Sequence, residues 1–166
     1  THLNDGGQLP RRSAINNAHA YLAAPYGIYR TADGYLALAM TPVPRLGELL
    51  ECPPLLAYSD PKSWFDERDT IKGVLASHLA TQTTAHWLSI LEPADVWCAD
   101  VFDWRKLRAH DGFKVLAMVQ EVHRANGASL LTTRCPIRID GGILTASRGA
   151  PKIGENTAEI IEEFGL

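Results

Sequence analysis

Residues 27–40 read GIYRTADGYLALAM, which is two apolar runs separated by an Asp-Gly pair. Asp-Gly between apolar runs is a strong hairpin signal, because Gly34 can adopt a positive φ without steric penalty. We therefore predict strands over residues 27–31 and 35–40, joined by residues 32–34. The second run is apolar on both faces, which predicts a buried strand rather than an edge strand.

Helical patterns follow this hairpin. Thr41-Pro42 is a typical helix start and predicts a helix that ends near Cys52. Apolar residues recur with helical spacing over about residues 66–80, and Thr83 or Thr84 is a suitable N-cap for a shorter helix. A short strand is then predicted over residues 96–101. The fold class is therefore a mixed α/β chain, with a β-hairpin, helices and a short mixed sheet.

The C-terminal third predicts a second hairpin and a final helix. Asn126-Gly127 is a hairpin turn, so we predict strands over residues 118–124 and 129–139, ended by Gly141-Gly142. A helix is expected to start at Asn156, where Glu159 would complete a capping box. This helix is expected to bury three side chains: Ile160, Ile161 and Phe164. A helix is also expected over residues 103–109.

The composition is that of a globular protein, with 46% hydrophobic and 21% charged residues. The net charge of −3 argues against a nucleic-acid partner, which would require a basic face. No run approaches the about 18 apolar residues of a membrane span, so no membrane partner is expected. The three cysteines show no close pairing, which favours reduced thiols in a cytoplasmic protein.

Common catalytic signatures are absent from the sequence. It has no glycine-rich phosphate loop and no Cys-x-x-Cys pair, and none of its six histidines has the i, i+4 spacing of a helical metal pair. No metal cofactor is therefore expected. The chain begins without a methionine, so we expect it to be part of a longer protein.

Two blocks carry a resemblance to a known family. APYGIYRTADG at residues 24–34 and APKIGENTAEIIEEFGL at residues 150–166 resemble the C-terminal half of class III CoA-transferases. That family includes formyl-CoA transferase, carnitine CoA-transferase and α-methylacyl-CoA racemase. The order of elements between the blocks is also similar, so the resemblance extends from about Arg12 to Leu166.

The resemblance implies a domain organisation and an assembly. Residues 1–24 would be a linker, residues 25–101 a small α/β domain, and residues 102–166 a C-terminal segment that returns to a large domain. That large domain, with the catalytic aspartate, would precede Thr1, so no catalytic residue is expected in this chain. The intact protein is expected to be an interlocked homodimer.

The chemistry implied by the resemblance uses coenzyme A as a substrate and product thioester. An aspartate attacks the acyl-CoA carbonyl to form a mixed anhydride, and the released thiolate returns to give an aspartyl-CoA thioester. A carboxylic acid acceptor then takes the CoA. Backbone N–H donors would hold the developing oxyanion.

Three residues are candidates for substrate binding by resemblance. Family members commonly show Ile-Pro-Cys-Gly-Pro-Val where this chain has VWCADV at residues 96–101, so Cys98 and Asp100 are expected near the cleft. The alternatives are that Cys98 packs as an apolar residue and Asp100 caps the next helix. Tyr26 would line the acyl pocket, or be a plain core aromatic. The glycine-rich lid of formyl-CoA transferase is replaced by residues 20–24.

Other functions remain open at this point. A racemase would require a glutamate at the position of Val43, which makes racemisation a less favoured reading. A non-catalytic binding or dimerisation module of the same fold is a further alternative. Arg134 and Arg138 are expected on one strand face, where they would clamp a carboxylate or phosphate or form surface salt bridges.

Overall fold

The computed structural model describes residues 6–7, 11–15 and 19–166. The predicted linker over residues 1–24 therefore lies partly outside the described residues. The chain divides into two compact units, the first ending at Val101 and the second spanning Phe102–Leu166.

A three-stranded antiparallel sheet organises the first unit. Its strands are β1 (Gly27–Arg30), β2 (Tyr35–Leu38) and β3 (Cys98–Asp100), in the order β1-β2-β3. The predicted hairpin and the interior position of its second strand are thus confirmed. Only one face of β2 is buried, however: Leu36 and Leu38 are in the core, whereas Tyr35 is half exposed.

The hairpin turn does not depend on a left-handed glycine. Gly34 does not have a positive φ. The prediction that this turn requires a glycine in the left-handed region is therefore wrong. Instead, the Gly34 amide donates to Thr31 Oγ1 at 3.0 Å. The Asp33 carboxylate accepts from the backbone N–H and the hydroxyl of Thr84 at 2.8 Å and 3.0 Å. The turn is therefore fixed by side chains and is attached to the start of a later helix.

Asp33 is expected to make stability depend on acid pH. The backbone N–H of Thr84 holds the pKa of Asp33 below its ordinary value, with the Thr84 and Thr31 hydroxyls contributing. This contribution is present at neutral pH and is lost as the pH falls through the lowered pKa. Asp33→Asn should therefore lower the urea midpoint at pH 7, by an amount that shrinks toward pH 3. Glu48→Gln, which removes an exposed carboxylate, is the control. A pH-independent difference for Asp33→Asn would contradict the assignment.

Helices pack against the buried face of the sheet. They are α1 (Val43–Leu49), α2 (Ser63–Asp66), α3 (Arg68–Leu79) and α4 (Thr84–Leu91), with a 3₁₀ turn over Pro53–Ala57. The predicted Thr83 cap is confirmed, since its side chain accepts from the His86 amide at 3.2 Å. The predicted Thr41 cap is wrong: α1 has Pro42 at its N-cap and no side-chain capping bond.

The core of the first unit is continuous. Tyr29 is fully buried, and its hydroxyl donates to the Pro25 carbonyl at 2.5 Å. A Cβ at Gly47 would lie 2.9 Å from Leu55 Cβ, so glycine allows α1 to approach the 3₁₀ turn closely. The other large, fully buried apolar side chains are Leu36, Val43, Leu46, Leu55, Ile71, Leu75, Leu79 and Leu91.

A buried cation stands out on α3. Lys72 is fully buried, and its Nζ has no hydrogen-bond partner among the residues that the structure describes. One turn earlier, Arg68 donates to the Arg11 carbonyl. Asp69 accepts from the Ser13 hydroxyl at 2.6 Å and from the Ala14 amide at 3.0 Å. Residues 11–15 are therefore attached to α3, whereas the Lys72 ammonium has no hydrogen-bond partner within the described part of the chain.

The second unit consists of short elements. They are α5 (Trp104–Ala109), α6 (Asp111–Val115), β4 (Val119–His123), β5 (Ser129–Thr133), β6 (Arg138–Ile139), β7 (Gly142–Ile143) and α7 (Thr157–Phe164). Strands β4 and β5 form the predicted hairpin, with Gly127 at a φ of 83° in the turn. The predicted strand over residues 129–139 is broken after Thr133. Gly141 then turns β6 into β7 rather than ending the first hairpin. The mixed α/β class is confirmed, although every named strand pair is antiparallel.

Apolar side chains of α7 are exposed rather than buried. Ile160, Ile161 and Phe164 lie on the surface, with Phe164 67% exposed, so their predicted burial is wrong within this chain. The capping box is also not formed: the Asn156 amide nitrogen donates to Glu159 Oε2 at 3.0 Å, and the side chain of Asn156 caps no backbone N–H. In Phe102–Leu166 the buried side chains are Val122 and Arg134 alone.

In this unit, the buried side chain of Arg134 connects the segments around it through hydrogen bonds to the backbone. Its guanidinium donates to the carbonyls of Ala117, Cys135 and Leu116, at 2.8, 2.6 and 2.5 Å. Arg138, in contrast, is exposed. The expected pairing of these two arginines as an anion clamp is therefore not seen, because Arg134 directs its donors to the backbone.

The exposed apolar surface of the second unit predicts self-association. Each large apolar side chain moved out of water stabilises a contact by roughly 1.5–3 kcal/mol. We expect the sedimentation coefficient of the chain to rise with concentration, or else residues 115–166 to exchange amide hydrogens rapidly. Ile160→Glu combined with Phe164→Glu should reduce the association. A monomer at all concentrations with a well-protected α7 would contradict both expectations.

Candidate functional site

An apolar groove lies on the open face of the β1-β2-β3 sheet. It has a volume of about 660 Å³. The strand register explains its shape, because Ile28 pairs with Ala37 and Ala37 with Ala99. Gly27 pairs with Leu38 and Leu38 with Cys98. Continuing this register by one residue places Tyr26, Ala39 and Trp97 in a second row, two residues from the first. The Ala39 amide donates to the Trp97 carbonyl at 2.9 Å. The groove is lined by Arg12, His19, Tyr26, Gly27, Ile28, Ala37, Leu38, Ala39, Trp97, Cys98 and Ala99.

The floor and walls of the groove follow from side-chain size. The floor of the groove is formed by Ala37, Ala39 and Ala99. Because their side chains are single methyl groups, the floor lies close to the strand backbone. Tyr26 and Trp97 stand on either side of Ala39, and Trp97 is 73% exposed. A slot with a small-residue floor and aromatic walls suits a flat, apolar group.

The charged side chain at the groove is Arg12, and its described lining contains no Asp or Glu. An anionic ligand is therefore favoured over a cationic one on simple Coulomb grounds.

The structure places two of the three predicted site residues at the groove. Tyr26 and Cys98 both line it and are half-buried. Burial, and secondarily the charge of Glu92, raise the pKa of the Cys98 thiol. Cys98 is therefore protonated at neutral pH and is a poor nucleophile.

Asp100 is placed apart from the groove lining. It pairs with Leu36, whose side chain is in the core, and is not among the lining residues. Its alternative role as the cap of the next helix is wrong, because Asp103 caps α5 by accepting from the Lys106 amide at 2.7 Å.

The groove is not predicted from the sequence. The family pattern has a proline where this chain has Trp97, and the sequence predicts a strand buried on both faces at Ala37 and Ala39. Their alternation with Leu36 and Leu38 is a period-two signal that could have predicted an open, small-residue face. No group of three or more His, Cys, Asp or Glu residues within the described part of the chain could hold a metal ion. The described helices include none that is long and apolar enough to cross a membrane.

Comparison with known proteins defines the class. The model of CoA-transferase family III matches residues 2–157, and the chain therefore belongs to that family. The resemblance found in residues 24–34 and 150–166 is thereby confirmed. Human α-methylacyl-CoA racemase is a relative, 27% identical in an alignment of 158 positions that covers 85% of this chain and 37% of the racemase.

Solved structures show the same fold. A CAIB/BAIF family protein from Brucella suis matches with a TM-score of 0.64 and 21% identity, over 98% of this chain and 42% of that one. Rv3272 from Mycobacterium tuberculosis matches with a TM-score of 0.60 and 22% identity, over 82% of this chain and 40% of that one. The chain thus spans about two fifths of the length of these relatives.

Proposed function

We propose that the chain is the C-terminal portion of an enzyme that moves coenzyme A between carboxylic acids through a covalent aspartyl intermediate. The observation that supports this most directly is the family match over residues 2–157. The nucleophilic aspartate would belong to a segment outside these 166 residues. The substrates would be an acyl-CoA and a carboxylic acid acceptor, and no metal would be required.

The groove gives this portion a role in the reaction. Its apolar floor would hold the acyl group, while Arg12 at the rim would attract the carboxylate of the acid. Binding energy from the non-reacting part of a substrate helps to orient the carbonyl toward the nucleophile. We further propose that the intact enzyme is an interlocked, cytoplasmic homodimer.

Racemisation at the α-carbon of an acyl-CoA is the second candidate, and the human relative favours it. Proton transfer at that carbon needs a correctly placed acid and base. Val43 stands where the resemblance requires a glutamate, and it is fully buried in the core. Its neighbours Pro42 and Pro44 supply no acid either. We therefore prefer CoA transfer.

The chain alone should lack CoA-transferase activity. Purified Thr1–Leu166 would be incubated with an acyl-CoA and an isotopically labelled acid, and thioester exchange followed by mass spectrometry. We expect no turnover above the buffer control, because under this proposal the nucleophile and its oxyanion donors belong to a segment outside these 166 residues. Turnover that Asp100→Ala abolishes would place the catalytic carboxylate in this chain and contradict the proposal.

A longer protein that contains this chain is the sample in which activity is expected. We expect it to exchange CoA and to form an aspartyl-CoA adduct on a peptide outside residues 1–166. In deuterated water, it should not incorporate deuterium at the α-carbon of a 2-methylacyl-CoA. Deuterium incorporation without exchange would favour the racemase, and neither activity would favour a non-catalytic module.

A further inference from the structure

We propose that the groove selects an aromatic carboxylic acid, with its ring held between Tyr26 and Trp97 and its carboxylate paired with Arg12. This inference rests on the proposed function, since it names the acid that the transferase would accept or donate. It commits to one occupant, an arylalkanoic acid or its acyl form.

The spacing of the two aromatic side chains supports a ring between them. Tyr26 and Trp97 both line the groove. Continuing the strand register by one residue places them on either side of Ala39, with two strand spacings between their backbones. With about 4.8 Å between neighbouring strands, that backbone separation is about 9.6 Å. Stacked aromatic rings have centroids about 4.5–7 Å apart, so a third ring between two others needs roughly 9–14 Å, and the backbone separation falls within this range.

The floor makes room for that ring. Ala39 lies between the two aromatic residues, and the next row is Ile28, Ala37 and Ala99. The alanine methyl groups allow a flat group to lie near the strand backbone. A formyl or oxalyl group would leave most of the volume of about 660 Å³ unfilled, since ligand pockets of about 300–1,000 Å³ suit larger molecules.

Charge determines the polar end of the ligand. Arg12 and His19 are the positively charged or chargeable groups at the groove, and its described lining has no carboxylate to neutralise them. Arginine pairs with carboxylates through two parallel hydrogen bonds. A neutral or cationic aromatic ligand could not form this ion pair with Arg12.

Exposure of Trp97 is a further argument. Its indole is 73% exposed beside an apolar floor, which is unusual for a side chain that proteins normally cover. Trp104, in the second unit, is 80% exposed and does not line the groove. It is a matched control for effects of removing an exposed tryptophan.

The test uses the 166-residue chain and isothermal titration with three acids: 3-phenylpropionate, hexanoate and formate. We expect 3-phenylpropionate to bind at least tenfold more tightly than either of the others. Trp97→Ala should weaken its binding about tenfold, as loss of one aromatic contact predicts. Ala39→Leu, which fills the space between the two aromatic side chains, should also weaken the binding of 3-phenylpropionate. In a further titration with 3-phenylpropionamide, Arg12→Gln should reduce the preference for the acid over this amide. Trp104→Ala should leave the affinity unchanged.

Several outcomes would overturn the inference. They are equal affinity for hexanoate and 3-phenylpropionate, no detectable binding, or equal effects of Trp97→Ala and Trp104→Ala. Thermal melts of each variant identify any that fails to fold, and Tyr26→Ala, which removes the other ring and should also weaken binding about tenfold, then decides. Aromatic binding without CoA exchange in a longer protein would refute the proposed function alone. CoA exchange with no aromatic preference would refute this inference alone.

Discussion

Arg134→Lys is expected to destabilise the second unit by about 3 kcal/mol. The guanidinium satisfies three backbone carbonyls that bring residues 116–117 and 135 together. A lysine ammonium is a single point and cannot reproduce the fork of an arginine. A hydrogen bond to a charged group contributes about 1.5–3 kcal/mol, so two lost bonds account for the estimate.

Hydrogen exchange followed by mass spectrometry measures this effect unit by unit. Amides of β4 and β5 should exchange faster in Arg134→Lys, whereas those of β1 and β2 should be unchanged. Arg138→Lys is the control, because Arg138 is exposed and surface changes usually stay within about 0.5 kcal/mol. Unaltered protection of β4 in Arg134→Lys would show that the guanidinium is dispensable.

Lys72→Met, in contrast to Arg134→Lys, should increase the free energy of unfolding, by about 1–4 kcal/mol for the first unit. The ammonium is fully buried, and its Nζ has no partner among the described residues. Methionine has a similar length and carries no charge. Replacement of buried charges by apolar residues of similar volume is often stabilising by such amounts.

The gain should also depend on pH. Burial lowers the pKa of Lys72 below its ordinary value, and the charge of Arg68 lowers it further. The unfolded chain therefore binds this proton more tightly, so the native protein gains stability as the pH rises from the lowered pKa toward about 10.4. The advantage of Lys72→Met should accordingly be largest at neutral pH and should shrink by pH 10.

Urea midpoints at pH 7 and pH 10 test both statements. Lys62→Met, which replaces an exposed lysine at the start of α2, is the matched control and should change little. A loss of stability in Lys72→Met would mean that the ammonium has an anionic partner in solution.

Local signals in the sequence were sufficient for the first unit. The hairpin, the helical spacing before Leu79 and the Thr83 cap each depend on a few neighbouring residues, and the structure contains all three. The attachment of Asp33 to Thr84 could not be predicted, because it joins positions 51 residues apart. The predicted positive φ at Gly34 is also wrong, because the turn is held by the Thr31 hydroxyl within it and by the attachment of Asp33 to Thr84.

Burial was hardest to predict in the second unit. The α7 pattern correctly predicted a helix with an apolar side, but a pattern does not specify which surface covers that side. Phe164 remains exposed because the chain supplies no such surface among residues 102–166. Arg134 is predicted either to clamp an anion or to form surface salt bridges, and its actual role depends on carbonyls at Leu116 and Ala117, which the sequence cannot place. The groove was missed because packing decides which face of a sheet remains open.

Three methyl groups, those of Ala37, Ala39 and Ala99, set the depth of the open face, and none of them contributes to the buried core. A larger side chain at any of these positions would project away from the core. Such changes usually cost little stability. Leu38 and Cys98, in contrast, belong both to the core region and to the groove lining. If the groove binds an acid as proposed, substitutions at the three alanines would change which acid fits while the core that maintains the fold stays intact.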